Sequence, residues 1–303
     1  LPLDNLLELL SNPSNEIATS EFSVLSDLTN NELESFRNIW DKCAEDQQTW
    51  IVSTLVDMSE ESTELDFSSI FKLGLKSTQE IVVSKSIEGL WEYEDRSVIP
   101  EFIEILFSNN PPDLRASSAE ALGRFASLTQ DNKLLQTDAD IVYESLMSVL
   151  SDEGEHMEVR RRSLESVSGF NGEEIQEYIK WAYSSGDSDL KSSSIYAMGQ
   201  SGETIWLPIL LIELKSIEPF IRYESARACG ALGEDDVVPH LEEMLQDEDT
   251  QVQLAAIEAL GNIGGNMAKQ ILSRLSEDCE PEFEESVALA LESAEFLQDP
   301  LAF

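Results

Sequence analysis

A chain of 303 residues, 42% of them apolar and with only 14 glycines and 10 prolines, can build a continuous core and has few breakers for a loop-rich fold. Sixty acids against 19 bases leave a net charge of −41, a field that repels phosphate backbones and anionic lipid; nucleic acid and membrane surfaces are therefore not expected as partners. The most apolar segment, Ile205–Leu214, is interrupted by Pro208 and Glu213, well short of the ~18 apolar residues of a membrane helix.

The first residues carry acids (Asp4, Glu8) and no basic run, so they do not read as a signal peptide, and the missing initiator methionine reads as a trimmed chain, which leaves a removed leader or anchor open. Leu3, Leu6, Leu7 and Leu10 have helical spacing, and Ser11-Asn12-Pro13-Ser14-Asn15 breaks it. Thr29-Asn30-Asn31-Glu32 is a capping box ahead of the apolar face Leu33, Phe36, Ile39 and Trp40. A second helix is predicted over Trp50–Met58, after a polar hinge at Asp46-Gln47-Gln48. Residues 1–65 thus read as an N-terminal helical region of degenerate helix pairs, and 66–303 as a repeat array continuous with it.

The repeat shows when the first apolar residue of each small-faced helix is aligned: Val82, Leu114, Val159, Leu190, Ile221, Val252 and Phe283, at steps of 32, 45, 31, 31, 31 and 31. Five and eight positions further on, small or apolar residues recur, from Ile87 and Leu90 to Ala288 and Leu291. Glycine recurs at the ninth position (Gly123, Gly199, Gly230, Gly261) and the twelfth (Gly202, Gly233, Gly264). Proline recurs at the eighteenth (Pro100, Pro208, Pro239), where it suits the first turn of a helix. Each unit is therefore helix, glycine turn, helix, polar turn. A pair of about thirty residues cannot bury both faces alone, so stacking is required. The 45-residue step places an excess around Leu128–Asp140, as a longer helix end or an edge loop. The last unit, Glu282–Ala294, lacks the glycine and reads as a cap.

The phrases Asp113–Gly123, Ile221–Ala226 and Val252–Gly264 resemble the second helix of a HEAT repeat, in the short glycine-rich form shared with phycobilin-lyase-type proteins. The resemblance covers about residues 66–295. It implies an all-α, right-handed α-solenoid of stacked antiparallel helix pairs whose second helices line the concave face.

Reactive residues are few. The two histidines stand apart: His240 reads as a solvated residue near a helix start, and His156 lies in the acidic linker Asp152-Glu153-Gly154-Glu155. Some HEAT-like hydroxylases bind iron through several His-Glu pairs, and no pair in that order occurs here. No catalytic residue, metal or cofactor is therefore expected. Cys43, Cys229 and Cys279 are odd in number and dispersed, which points to a reducing, cytoplasmic setting.

Nine of the 19 bases fall on the aligned helices. Arg115, Arg160, Lys191 and Arg222 each stand one position past the anchor, and Arg161, Arg162, Tyr196, Tyr223 and Arg227 lie on nearby turns. One reading pairs this ladder with acids in the preceding turns (Asp113, Glu158, Asp189). The other makes it a basic, tyrosine-bearing groove for an acidic or aromatic peptide, extended by Trp91 and Tyr93. The expectation is a non-catalytic scaffold or assembly adaptor, monomeric or weakly oligomeric, holding a protein or peptide partner. A lyase or chaperone-lyase acting on a bound cofactor such as a bilin is the alternative, and a DNA-repair glycosylase needs a basic groove able to overcome the net charge.

Overall fold

The computed structural model describes residues 2–12, 17–130, 133–277 and 280–298. Cys279 and the Pro13-Ser14-Asn15 break lie outside them. The described elements are helices without a strand, and they form an all-α solenoid of stacked antiparallel pairs. The chain packs as two compact units: Leu1–Phe125 with Gln136–Ser145, and Ala126–Leu135 with Leu146–Phe303.

The first unit holds α1 (Leu3–Leu10), α2 (Asn30–Trp40), α3 (Glu45–Glu61), α4 (Ser68–Gly74), α5 (Glu80–Gly89) and α6 (Ile99–Leu106). Helix α1 buries Leu6, Leu7 and Leu10, as its spacing predicts. The capping box opens α2: the Glu32 amide donates to Thr29 Oγ1 at 3.4 Å, and the Thr29 amide donates to Glu32 Oε2 at 2.9 Å. That pairing holds the exposed Glu32 carboxyl below its ordinary value. The hinge expected at Asp46-Gln47-Gln48 is instead the first turn of α3. Glu45 and Asp46 there face the positive helix end. Gln47 Nε2 donates to the Leu10 carbonyl and Gln48 Nε2 to the Trp40 carbonyl, each at 2.8 Å, so the polar side chains close the ends of α1 and α2. A 3-10 helix at Thr19–Leu25, burying Phe22 and Leu25, has no counterpart in the sequence reading.

Helices α7 (Pro112–Gln130) and α8 (Gln136–Ser151) contribute to both units. They account for the 45-residue step: α7 has 19 residues against 14 in later second helices, those beginning at Pro219 and Thr250, and α8 has 16 against 7 in a first helix such as those that follow Trp206 or Val237.

In the second unit α9 (Met157–Val167), α10 (Glu173–Tyr183), α11 (Ser188–Gln200), α12 (Leu207–Glu213), α13 (Pro219–Leu232), α14 (Val238–Met244), α15 (Thr250–Ile263), α16 (Gly265–Glu277) and α17 (Glu284–Gln298) follow in order. First helices α10, α12, α14 and α16 each pair with the helix after them, and second helices α9, α11, α13, α15 and α17 stack in sequence. All seven anchors are buried. On α17 the pattern relaxes, with Ala288 exposed and Leu291 half-buried. Pro100, Pro208 and Pro239 stand in the first turns of α6, α12 and α14, each preceded by a 3-10 turn.

The ninth-position glycines let the stack close. A Cβ on Gly199 would lie 2.7 Å from Ala228 Cα, one on Gly230 2.7 Å from Ala259 Cα, and one on Gly261 2.8 Å from Ala290 Cα. Each glycine therefore meets an alanine seven positions past the next anchor, backbone against backbone. The twelfth-position Gly233 serves a different need: at φ +69° it ends α13 in the left-handed region.

Candidate functional site

The ladder residues resolve into ties between units. Arg222 is buried; its Nε and Nη2 each reach an Asp247 carboxylate oxygen at 2.7 Å, and its Nη1 donates to the Ser216 carbonyl at 2.8 Å. Burial pushes the Asp247 carboxyl up, but the Arg222 hydrogen bonds and charge, with the Asp249 amide, outweigh it and hold the carboxyl below its ordinary value. Lys191 Nζ lies 2.8 Å from Glu213 Oε2, and Tyr183 Oη donates to the other oxygen at 2.5 Å. Arg160 donates from Nε to the Leu150 carbonyl at 3.0 Å and lays its guanidinium 4.6 Å over the Trp181 ring. The acids engaged come not from the preceding turns but from further along the chain: Glu213 ends α12, and Asp247 lies in the loop after α14. Arg115 takes the matching position on α7, half-buried.

Burial, and then the bond to Glu213, push the Tyr183 phenol up to about 12. Its folded value exceeds its unfolded one, so its contribution is fully present below about pH 10 and lost as pH rises through about 12. Tyr183→Phe is expected to cost about 1.5–3 kcal/mol, because the buried Glu213 loses a donor. Urea unfolding at neutral pH reads the loss, and an absorbance titration should show the last tyrosinate signal disappear.

The face of the second helices carries a different chemistry. On α9, Arg161 and Arg162 are held by Glu158 at 2.7 and 3.2 Å and by Glu165 at 3.4 and 2.8 Å. Ser193 on α11 donates to Glu165 as well. Further along, Tyr196 and Gln200 of α11, Glu224 and Arg227 of α13, and Glu258 and Asn262 of α15 surround a cavity of about 140 Å³ floored by alanines. The spacing explains the convergence: residues three, four and seven apart share one helix face, and three stacked helices present that face side by side.

Glu224 is the unusual member. Its side chain is 20% exposed, and its Oε2 is buried with no hydrogen-bond partner among the described residues. Arg227 Nη1 stands 3.8 Å from the other oxygen, Oε1, with its guanidinium 5.6 Å from the centre of the Tyr223 ring. Burial raises the Glu224 carboxyl above its ordinary value; the Arg227 charge opposes this only in part, and the Glu165 charge adds to the rise. Sequence reasoning singled out Tyr196, Tyr223 and Arg227 but passed over Glu224, Glu258 and Asn262, because acids are everywhere in this chain. A polar residue on the small-residue face three past the anchor was the available signal.

The remaining candidates do not join this cavity. His156 caps α9, its Nδ1 accepting from the Glu158 amide at 3.3 Å. His240 sits in α14, half-buried, with Nδ1 buried and unpartnered among the described residues. Trp91, exposed, and Tyr93 line a separate cavity of about 660 Å³ in the first unit, where Lys72 Nζ lies 4.6 Å from the centre of the Tyr93 ring. Cys229 is a buried free thiol whose burial pushes it up to about 12, and Cys43 is also free.

Residues 207–292 match the family model for HEAT repeats. The helix pairs of that stretch are HEAT repeats. Deoxyhypusine hydroxylase of Drosophila melanogaster is 33% identical to the chain over 122 residues, 40% of each protein. The Bos taurus protein of the same name is 29% identical over 133 residues, 41% of this chain and 44% of its own. The chain thus matches less than half the length of these curated relatives. The structure of the complex of CpcE and CpcF of phycocyanin lyase from Nostoc sp. PCC7120 superposes with a TM-score of 0.49 at 17% identity, over 75% of this chain and 94% of that one. The relatives' names overturn the expectation of a non-catalytic scaffold: the matching proteins are named as hydroxylases, which are enzymes. The expectation that no enzyme is involved rested on missing His-Glu pairs, whereas the HEAT match is carried by a repeat that reports fold.

The iron implied by HEAT-like hydroxylases does not fit the residues present. Among the described residues no group of three or more His, Cys, Asp or Glu side chains is placed to hold a metal ion. On α9, guanidinium groups already occupy the carboxylates.

Proposed function

We propose that the chain works on the substrate class in its relatives' names: a protein presenting deoxyhypusine, an amine-bearing derivative of lysine. The observation that supports this is the second-helix face of α11, α13 and α15, where Glu224 and Glu258 stand against the single base Arg227. An acidic chain of net −41 draws such a cation in over long range. The arginine row is committed to ties between units, so it does not compete for this substrate. No oxidative step is derived, since the metal does not fit. Its dispersed cysteines suit a reducing compartment.

The reading is tested by calorimetry with one protein prepared twice, once carrying deoxyhypusine and once carrying plain lysine at the same position. Tighter binding of the modified form is expected, by at least tenfold. Equal affinity for the two would end the proposal.

A further inference from the structure

We propose that the cavity at the ends of α3 and α5, in the first unit, is a docking site for an arginine side chain on a basic segment of a partner protein, with Trp91 as the ring it stacks on. This goes beyond the functional reading above and does not depend on it. The cavity, about 660 Å³, has the volume of a side-chain pocket rather than of a single-ion site. Phe67 and Phe71 line it from the core, and Trp91 lines it while 51% exposed. The turn that carries Trp91 is fixed by its own backbone: the Trp91 amide donates to the Glu88 carbonyl at 3.0 Å and the Tyr93 amide to the Leu90 carbonyl at 2.9 Å. A large apolar ring on an ordered turn is organised for contact before any partner arrives.

Charge selects the sign of the partner. Glu60, Asp66, Glu88 and Glu92 line the cavity and no base does. Helices α3 and α5 end here, at Glu61 and Gly89, and neither has a base in its last turn to offset the negative helix end. Lys85 offsets Glu88 at 2.7 Å, and Asp66 accepts from the Ser68 amide at 2.8 Å. The exposed carboxylates of Glu60 and Glu92 make no ion pair or hydrogen bond among the described residues. A cation is therefore favoured, opposite in sign to the acidic peptide that the sequence suggested for Trp91 and Tyr93.

The rings select which cation. Tyr93 already carries one: Lys72 Nζ lies 4.6 Å from its ring centre and is held by Asp95 at 3.2 Å. Trp91 is the ring left open. A guanidinium is planar and weakly hydrated, so it can lie flat on an indole while its edge donates two parallel N–H groups to a carboxylate. An ammonium is a strongly hydrated point charge with no flat face, and gains less from an apolar wall.

The test uses two peptides of equal charge, acetyl-Gly-Arg-Gly-Arg-Gly-amide and its lysine counterpart. Each is titrated into the intact ¹⁵N-labelled chain at about 0.15 M salt, where diffuse attraction to the acidic surface is screened. The Trp91 indole N–H signal should shift and saturate with the arginine peptide, and calorimetry should give that peptide about fivefold or more tighter binding than the lysine one. Trp91→Ala, at an exposed position, should weaken the arginine peptide by about tenfold or more, and Glu92→Gln by several-fold. Ile217→Ala, 92% exposed in the second unit, should leave binding unchanged. Equal affinity for the two peptides overturns the site, as does unchanged binding by a folded Trp91→Ala. Tighter binding of a trimethyllysine peptide than of the arginine peptide overturns the guanidinium assignment.

Discussion

Arg222→Ala is expected to cost about 3–5 kcal/mol, because it strands the Asp247 carboxylate in a site where the side chain is 9% exposed. The loss has three parts: a bidentate charge-assisted pair, the tie from α13 to the loop after α14, and the donor to the Ser216 carbonyl. Exposed Glu248 at 3.8 Å adds little. The pH dependence gives a second signature. Asp247 has a folded value below its ordinary one, so its contribution is present above the unfolded value, near 4, and is lost as pH falls through the lower folded value. Wild type should therefore lose stability on acidification in a window where Arg222→Ala changes less. Urea midpoints measured from pH 7 down to the acid transition check both statements. Lys substituted for Arg should recover only part, since one ammonium cannot reproduce the fork.

Gly230→Val is expected to cost about 3 kcal/mol or more. The added Cβ would sit 2.7 Å from Ala259 Cα and 2.8 Å from its Cβ, and the backbone atom cannot rotate away. Overpacking of a filled contact costs about 1–3 kcal/mol, and a β-branched residue inside α13 adds to it. Stability in such an array resides in nearest-neighbour interfaces, so separating α13 from α15 should weaken the array locally, and hydrogen exchange should rise first in those two helices. Gly230→Ala should cost less, and Ala259→Gly in that background should return part of it by removing one of the two short contacts. Gly186→Ala is the control: its φ of +78° imposes a modest backbone cost, about 1 kcal/mol, with no atom within 4 Å to strike.

The fold was legible because its determinants are local and repeat. Anchors, glycines and first-turn prolines recur at fixed offsets, and each offset corresponds to one contact: a buried apolar residue, a backbone approach to an alanine, a helix start. The ladder was legible in position but not in partner. Lys191 and Arg222 lie one position past their anchors, yet their acids, Glu213 and Asp247, are 22 and 25 residues further on, chosen by how one unit stacks on the next. The site was largely illegible. Glu224 is one acid among 60, and nothing in its sequence neighbourhood distinguishes a solvated carboxylate from one with a buried oxygen. The hinge at Asp46-Gln47-Gln48 failed for a related reason. Polar side chains that cap two other helices look, in sequence, like those of a loop.

The central claim is that the second-helix face takes a lysine-derived cation through its carboxylates. Titrating a deoxyhypusine-bearing peptide into the ¹⁵N-labelled chain tests it most directly. The amides of Tyr196, Gln200, Glu224, Arg227, Glu258 and Asn262 should shift together and saturate together, with the ladder contacts at Glu213 and Asp247 left in place. Shifts confined to Trp91 and Tyr93, or to the loops around Glu213 and Asp247, would contradict it.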